Sequence, residues 1–453
     1  MINTGIRMND YDVIIVGGGP AGVTAALSAK NSYPDKRIAL IRKENNPMIP
    51  CGIPYTLFSL KSVEENILGD APLAAGKIEV INGEAVDRND HTLVLSNGEE
   101  IKYEKLVLAT GSNAVLPPIE GRDLEGVFLV KKQKDYLERL RVAAHQATNI
   151  TILGGGYIGV EVADELSKAG KKAIVVEMLP NLLATMDEEF SLKAEQILTD
   201  EGAGIVTGKS VKRILGNKKV EEVELNDGTR IKSDMVVISV GYRPNLDLIK
   251  KLGVAYQEGR GVLVDDYLRT SEKDIFAVGD CAIKYDFFTG DLTNIMLAST
   301  GMAEGRLVGS NLYSIRVVRQ YPGVLGTFST KIGNKAFAVS GVTEKRAKEK
   351  GIDYTIGTSK AVDRHPGKLA GSSEVFVKLI FSTYSHTLLG AEMYGGDSVG
   401  ELINMVSVMI LNRMTDTDIN TLQIGTHPLL TPSPVAYPVI NATIDAIVKW
   451  FKH

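Results

Sequence analysis

Cysteine is scarce in this chain. Its 453 residues include two, Cys51 and Cys281, far apart in sequence and too few to build a disulfide framework, which fits a reducing compartment and leaves each thiol to be judged alone. Charge of one sign is also lacking. With 51 basic against 55 acidic residues and a net charge of -4, there is no overall positive field to gather nucleic acid or anionic membrane, so a small-molecule substrate is expected. No apolar run reaches the roughly 18 residues that a bilayer crossing needs. The first such stretch, VIIV, follows Asp12 and is stopped by glycines. The chain therefore reads as cytoplasmic.

Glycine is plentiful. The chain has 45 glycines, with 44% hydrophobic and 23% charged residues, a composition of soluble globular proteins with many tight turns. The length exceeds what one hydrophobic core usually organises, so two or three domains are expected. Met8 lies just before the first strand pattern, so residues 1–7 read as a disordered extension or an upstream start.

The segment YDVIIVGGGPAGVTAALSAK followed by RIALI gives a buried strand, a glycine loop, an alanine-rich helix and a second strand. Gly17 permits the tight turn, Gly19 lets backbone approach a pyrophosphate, and Gly22 lets helix and strand pack closely, with Pro20 and Ala21 between them. One GxGxxG is weak evidence, but a second copy occurs in NITILGGGYIGVEVADELSKAGKKAIVVE. Gly154, Gly156 and Gly159 repeat the spacing around Tyr157 and Ile158, and Glu177 falls about 20 residues past the loop, where an acid accepts from an adenosine ribose and repels a 2′-phosphate. NADH is thereby favoured over NADPH. In the first unit the corresponding strand ends Arg42-Lys43-Glu44, which leaves Glu44 as a displaced ribose candidate.

Together with LVLATGS, GGGYIGVE, VGYRPN, DIFAVGDCA and LASTGMAEGRLVGSNL, these motifs make the chain resemble the pyridine nucleotide-disulfide oxidoreductases. The likeness is to the single-cysteine branch of coenzyme A-disulfide reductases, NADH oxidases and peroxidases, and persulfide or sulfur reductases. The resemblance implies an α/β chain with two Rossmann-like dinucleotide-binding domains and a carboxy-terminal α+β dimer-interface domain. Residues 1–117 and 246–322 would form the FAD domain, 118–245 the NAD(P)H domain and 323–453 the interface domain of a homodimer. It further implies that Ala109, Thr110, Gly111, Gly241, Gly279, Asp280 and Ala298 lie on cofactor. Asp280 would hold the ribityl chain, with helix capping as its plainer role. Cys281, behind an apolar strand, reads as a small buried hydrophobe.

Cys51 falls where the family's redox cysteine falls, in a Cys-x-x-Pro-Tyr setting that includes Tyr55. A proline suited to a first helical turn and the helix-like TLFSLKS follow it. Cys51 is thus expected near a helix N-terminus, which with an adjacent flavin would lower a thiol pKa of about 8.5. Two-cysteine relatives carry a second cysteine a few residues on. Here Thr56, Leu57 and Phe58 stand there, so the oxidised sulfur is a mixed disulfide with a small thiol such as coenzyme A, a persulfide or a sulfenic acid. Peroxidases and oxidases of the branch place a histidine in the first glycine loop where this chain has Pro20. Coenzyme A-disulfide reductases place a serine where it has Pro47. A disulfide or sulfane-sulfur substrate leads, with peroxide or oxygen reduction as the alternative. Tyr157 matches an aromatic ring that covers flavin until nicotinamide displaces it, and Glu161 is either at that contact or on the helix surface. The proline-rich segment with His427 and Tyr437 resembles one that reaches the partner's site, where both are candidate proton donors. No motif calls for a metal.

Overall fold

A computed structural model describes residues 10–452. The reading of residues 1–7 lies outside the described residues. The chain forms two compact units. One runs from the start of the described residues to Leu116 and includes Leu129–His145 and Gly241–Val324; the other comprises Pro117–Phe128, Gln146–Val240 and everything from Leu325 onward.

In the first unit, apolar runs at the centre of the sheet form strands buried on both sides, as a parallel sheet requires. Glu79–Asn82, Ile38–Arg42, Asp10–Val16, Glu100–Leu108 and Ile275–Ala277 run parallel in that order, with an antiparallel flank, Thr92–Leu95 and Ala85–Asn89. Val13, Ile14, Ile15, Leu40 and Leu106 are fully buried. The helix Pro20–Ser32 lies along Ala298–Asn311. A Cβ on Gly305 would sit 2.6 Å from the Ala21 carbonyl oxygen and one on Gly309 2.5 Å from that of Ala25, so the two helices close backbone to backbone.

In the second unit, Gly204–Val206, Lys172–Val176, Asn149–Leu153 and Met235–Ile238 form a second parallel sheet. An antiparallel sheet follows, in the order Thr327–Ile332, Lys335–Gly341, Leu388–Gly395, Glu374–Ser382 and Tyr354–Val362. The helices Val399–Leu411 and Pro438–Trp450 pack on this sheet. The α/β class with two Rossmann-like sheets and a carboxy-terminal α+β part is therefore as expected. No helix among the described residues is long and apolar enough to cross a membrane.

The second unit buries charge. Lys378, with 4% of its side chain exposed, lies 3.0 Å from Asp187, 3.0 Å from Glu189 and 2.7 Å from Glu344. Burial opposes ionisation of Asp187, yet Glu392, the Lys345 amide and Lys378 outweigh it and hold the carboxyl below its usual range. Fully buried Glu392 goes the other way: desolvation and the Asp187 charge push its pKa well up, and it accepts from the Asp187 N–H at 2.7 Å. A proton-bearing acid, Glu392, and the ionised carboxyls of Asp187 and Glu344 thus share a site with one cation, Lys378. Replacing Lys378 by Met leaves the ionised carboxyls around it uncompensated and should lower the unfolding free energy by about 3 kcal/mol. In denaturant titrations the loss should be largest near pH 7 and shrink in acid, as the carboxylates take up protons. An unchanged midpoint at pH 7 would contradict this account.

Candidate active site

Both glycine loops join a parallel strand to a helix whose first turn no side chain caps. At Gly17 φ is +122°, and a Cβ there would lie 2.0 Å from the Ala109 carbonyl oxygen. A Cβ on Gly22 would lie 2.0 Å from the Gly17 carbonyl oxygen, and in the second loop one on Gly159 would lie 1.9 Å from that of Gly154. These positions exclude every other residue. Gly19 and Gly156, in contrast, face open space, at the mouth of helices whose free N–H groups attract an anion. Buried Arg42 lies against the first loop, where a Cβ on Gly18 would meet its Cδ at 2.7 Å. Its two terminal nitrogens donate to Asp70 at 2.6 and 2.5 Å, while its Nε is buried with no protein acceptor among the described residues. An open cradle, uncapped amides and an orphaned donor fit a bound dinucleotide.

Around the first loop the fold gathers several expected residues. A Cβ on Gly279 would touch the Ala21 methyl at 2.9 Å, and one on Gly301, in the helix that Ala298 begins, would lie 3.2 Å from it. The Thr110 hydroxyl donates to the Asn245 carbonyl at 2.9 Å, Gly111 accepts from the Asn245 N–H, and the Gly241 carbonyl accepts from Val115. Asp280 caps no helix. Its carboxylate accepts from the Ser112 hydroxyl at 2.6 Å and lies 3.6 Å from the Lys132 ammonium, so the plainer of its two readings does not hold. Cys281 is fully buried, its thiol directed at the Val278 and Leu108 carbonyls, and burial raises its pKa. Glu44 is half-buried in the loop after Arg42.

Cys51 is exposed, in the short 3₁₀ turn Pro50–Gly52. A second turn, Pro54–Thr56, holds Tyr55. The expected helix over TLFSLKS does not form. The carbonyls of Thr56, Leu57, Leu60 and Lys61 instead accept from the Arg141 guanidinium, so tertiary bonds replace the helical ones.

In the second loop Glu177 accepts from the Gly155 N–H at 2.6 Å and the Leu179 N–H at 2.8 Å. Each carboxylate oxygen keeps a further lone pair for a ribose hydroxyl. Tyr157 stacks on Phe328, centroids 5.1 Å apart and planes 6° from parallel, and its hydroxyl accepts from Thr185 at 3.2 Å. Ile158, next along the helix, is half-buried. Glu161 is half-buried and accepts from the Thr330 hydroxyl at 2.9 Å. His427 is exposed, its Nδ1 accepting from the Leu429 N–H at 3.3 Å, and Tyr437 is buried, which raises its hydroxyl pKa.

Sequence reasoning missed Arg141, Ser112, Lys132, Phe328 and Thr330. All five act on partners distant in the chain, and only Ser112, which ends the LVLATGS motif, belongs to a local pattern.

Two dinucleotide folds of this build in one chain define a class of oxidoreductase that works between two nucleotide cofactors. A family model for pyridine nucleotide-disulphide oxidoreductase matches residues 11–305, and one for the dimerisation domain of that family matches residues 327–436. Over 96% of its length the chain is 31% identical to an NADH oxidase of Methanocaldococcus jannaschii, covering 98% of that protein. It is 29% identical, over 93% of its length and 95% of the relative, to an NAD(P)H coenzyme A polysulfide/persulfide reductase of Pyrococcus horikoshii. A solved NAD-dependent persulfide reductase from A. fulgidus superposes with a TM-score of 0.89 at 28% identity, covering 97% of this chain and 84% of that one. The chain belongs to the pyridine nucleotide-disulphide oxidoreductases, enzymes that use FAD and NAD(P)H.

Burial, against the opposing Thr330 hydrogen bond, raises the Glu161 pKa to about 7, with Asp164 adding to the rise. The folded state therefore holds this proton where the unfolded chain, with a carboxyl pKa of about 4.3, has lost it. Glu161→Gln keeps the acceptor and removes the ionisation. Relative to that variant, the wild type should lose stability as pH rises from about 4.3 to about 7 and hold a constant deficit above. Melting temperatures of the pair at pH 5 and pH 8 check it, and a difference independent of pH would be incompatible with it.

Proposed function

We propose that this enzyme uses NADH to reduce a disulfide, persulfide or polysulfide through the single sulfur of Cys51. One observation carries the reading: of the two thiols, Cys51 is exposed and Cys281 is sealed in the core beneath two carbonyls. The printed activities of the Pyrococcus and A. fulgidus proteins support the sulfur substrate. FAD, when bound, supplies the acceptor for a hydride from NADH and the source of two electrons for sulfur.

The Cys51 thiolate attacks one sulfur of the substrate S–S bond, forming a Cys51–S bond and expelling a thiolate or hydrosulfide. Two electrons and one proton then break the new S–S bond, restoring the Cys51 thiolate and releasing a second thiol or hydrogen sulfide. In our reading the first cradle, with Gly17, Gly19, Gly22, Asp280 and Arg42, holds FAD. The second, with Gly154, Gly156, Gly159 and Glu177, holds NADH. Residues 1–117 and 246–322 serve FAD, 118–245 serve the nicotinamide dinucleotide, and 323–453 serve a homodimer interface. The match of residues 327–436 to a dimerisation domain supports the last assignment. With Nδ1 accepting from Leu429, His427 carries its proton on Nε2, the form that donates to a departing thiolate. Balanced charge and the lack of a membrane-crossing helix among the described residues support a cytoplasmic enzyme.

Oxygen or peroxide reduction through a Cys51 sulfenic acid is the second reading, favoured by the NADH oxidase among the relatives. Anaerobic assays with coenzyme A disulfide, a small persulfide, polysulfide and peroxide separate the two. Cys51→Ser should abolish turnover of the sulfur substrates while NADH still bleaches the flavin. Full sulfur turnover by that variant would defeat the scheme, and turnover with peroxide alone would select the second reading.

A further inference from the structure

The turn that carries Cys51 is built of short 3₁₀ bonds, Gly52 to Ile49, Ile53 to Pro50, Thr56 to Ile53 and Leu57 to Pro54, and both of its ends are fastened by side chains. Ahead of Cys51, buried Asn66 ties down Ile49: the Asn66 carbonyl accepts from the Ile49 N–H at 2.9 Å, and its side-chain amide donates to the Ile49 carbonyl at 3.0 Å. The same amide packs so close that a Cβ on Gly52 would lie 2.0 Å from its oxygen. Beyond Cys51, the helix Lys134–Gln146 supplies several ties. Arg141 donates to the carbonyls of Thr56 at 2.6 Å, Leu57 at 3.2 Å, Leu60 at 3.0 Å and Lys61 at 2.9 Å. One turn on, His145 reaches the Leu57 carbonyl at 3.0 Å and stacks on Phe58 with centroids 4.4 Å apart. At the start of the helix, Lys134 pairs with Glu64 at 2.7 Å.

Thr56 and Leu57 are almost wholly buried, so their carbonyls cannot turn to water if the guanidinium is withdrawn. A planar fork that meets four carbonyls along six residues fixes both the position and the direction of that backbone, which a single point charge does not. We propose that Arg141 is a positioning residue for the redox sulfur, holding the turn at residues 50–61 so that Cys51 stays presented to its substrate. This rests on the reading of Cys51 as the redox centre.

The test uses flavin-loaded holoenzyme carrying Arg141→Ala, Arg141→Lys or, as a milder change that keeps the ring on Phe58, His145→Phe. Three quantities are followed: flavin bleaching by NADH, the following oxidation by a small persulfide, and the pH profile of Cys51 alkylation by iodoacetamide, with Cys51→Ser as the blank. Arg141→Ala should slow the sulfur step by about ten- to a hundredfold, the scale of a misplaced reacting group. It should also shift the alkylation midpoint while leaving flavin content and bleaching by NADH unchanged. Arg141→Lys should recover part of the loss, and His145→Phe should show a smaller change of the same kind. Wild-type sulfur rates and alkylation midpoint in Arg141→Ala overturn the proposal, as does an equal loss of bleaching and sulfur reactivity. Should Cys51→Ser turn over persulfide at the wild-type rate, the underlying reading fails, and the alkylation profile still decides whether Arg141 sets the placement of the thiol.

Discussion

The fold turns on two places where main chain meets main chain with no room for a side chain. At Gly22 against Gly17, and again at Gly159 against Gly154, a Cβ would stand within about 2 Å of a carbonyl oxygen. Only because that atom is missing do the helices start directly on the strand ends. Starting there, with no side chain capping them, they leave their first N–H groups directed at whatever occupies the open space beside Gly19 and Gly156. The parallel sheets, the order of strands and the location of both cofactor cradles follow from that contact.

The two cradles share a backbone and differ in charge. In the second, Glu177 is drawn onto the loop by two amides, so the loop is braced by the same carboxylate that we propose to meet the ribose. In the first, the equivalent strand ends in Arg42, buried against Gly18, neutralised by Asp70 and left with one donor over. A carboxylate offers only acceptors and a guanidinium only donors. The two loops are therefore lined by opposite hydrogen-bonding groups, which sets the two proposed sites apart without a change of topology.

The strands, glycine loops and helices of both sheets were legible in the sequence because their signals are local: an apolar run, a fixed glycine spacing and an acid at a set distance. Asp280 and Glu161 were recognisable as positions of interest, but their partners were not. Ser112, Lys132 and Thr330 lie far away in the chain, and the one that ends a motif, Ser112 in LVLATGS, does not say what it binds. The segment after Cys51 shows why local propensity misleads. TLFSLKS is unbroken by proline or glycine and reads as a helix, yet its carbonyls point to a cation some 80 residues on. A guanidinium that satisfies main-chain oxygens leaves no trace in the residues it binds, since any side chain can carry the same carbonyl.

That substitution of tertiary for helical bonds bears on how a lone cysteine can work. An enzyme with two neighbouring cysteines closes its own disulfide, and the second thiol keeps the first in register. With Thr56, Leu57 and Phe58 where a second cysteine would stand, the proposed chemistry at Cys51 requires the partner sulfur to arrive from outside. The thiol must then be open to solvent, as Cys51 is, and an open thiol on a short 3₁₀ turn has little regular structure to hold it. Packing against the turn from above would restore rigidity and close the entrance. Fastening it through its carbonyls, with Arg141 on one side and Asn66 on the other, restrains the backbone and leaves the sulfur uncovered. Rigidity and access are thereby separated: the first is supplied by main-chain oxygens, and the second is left to the side chain that reacts.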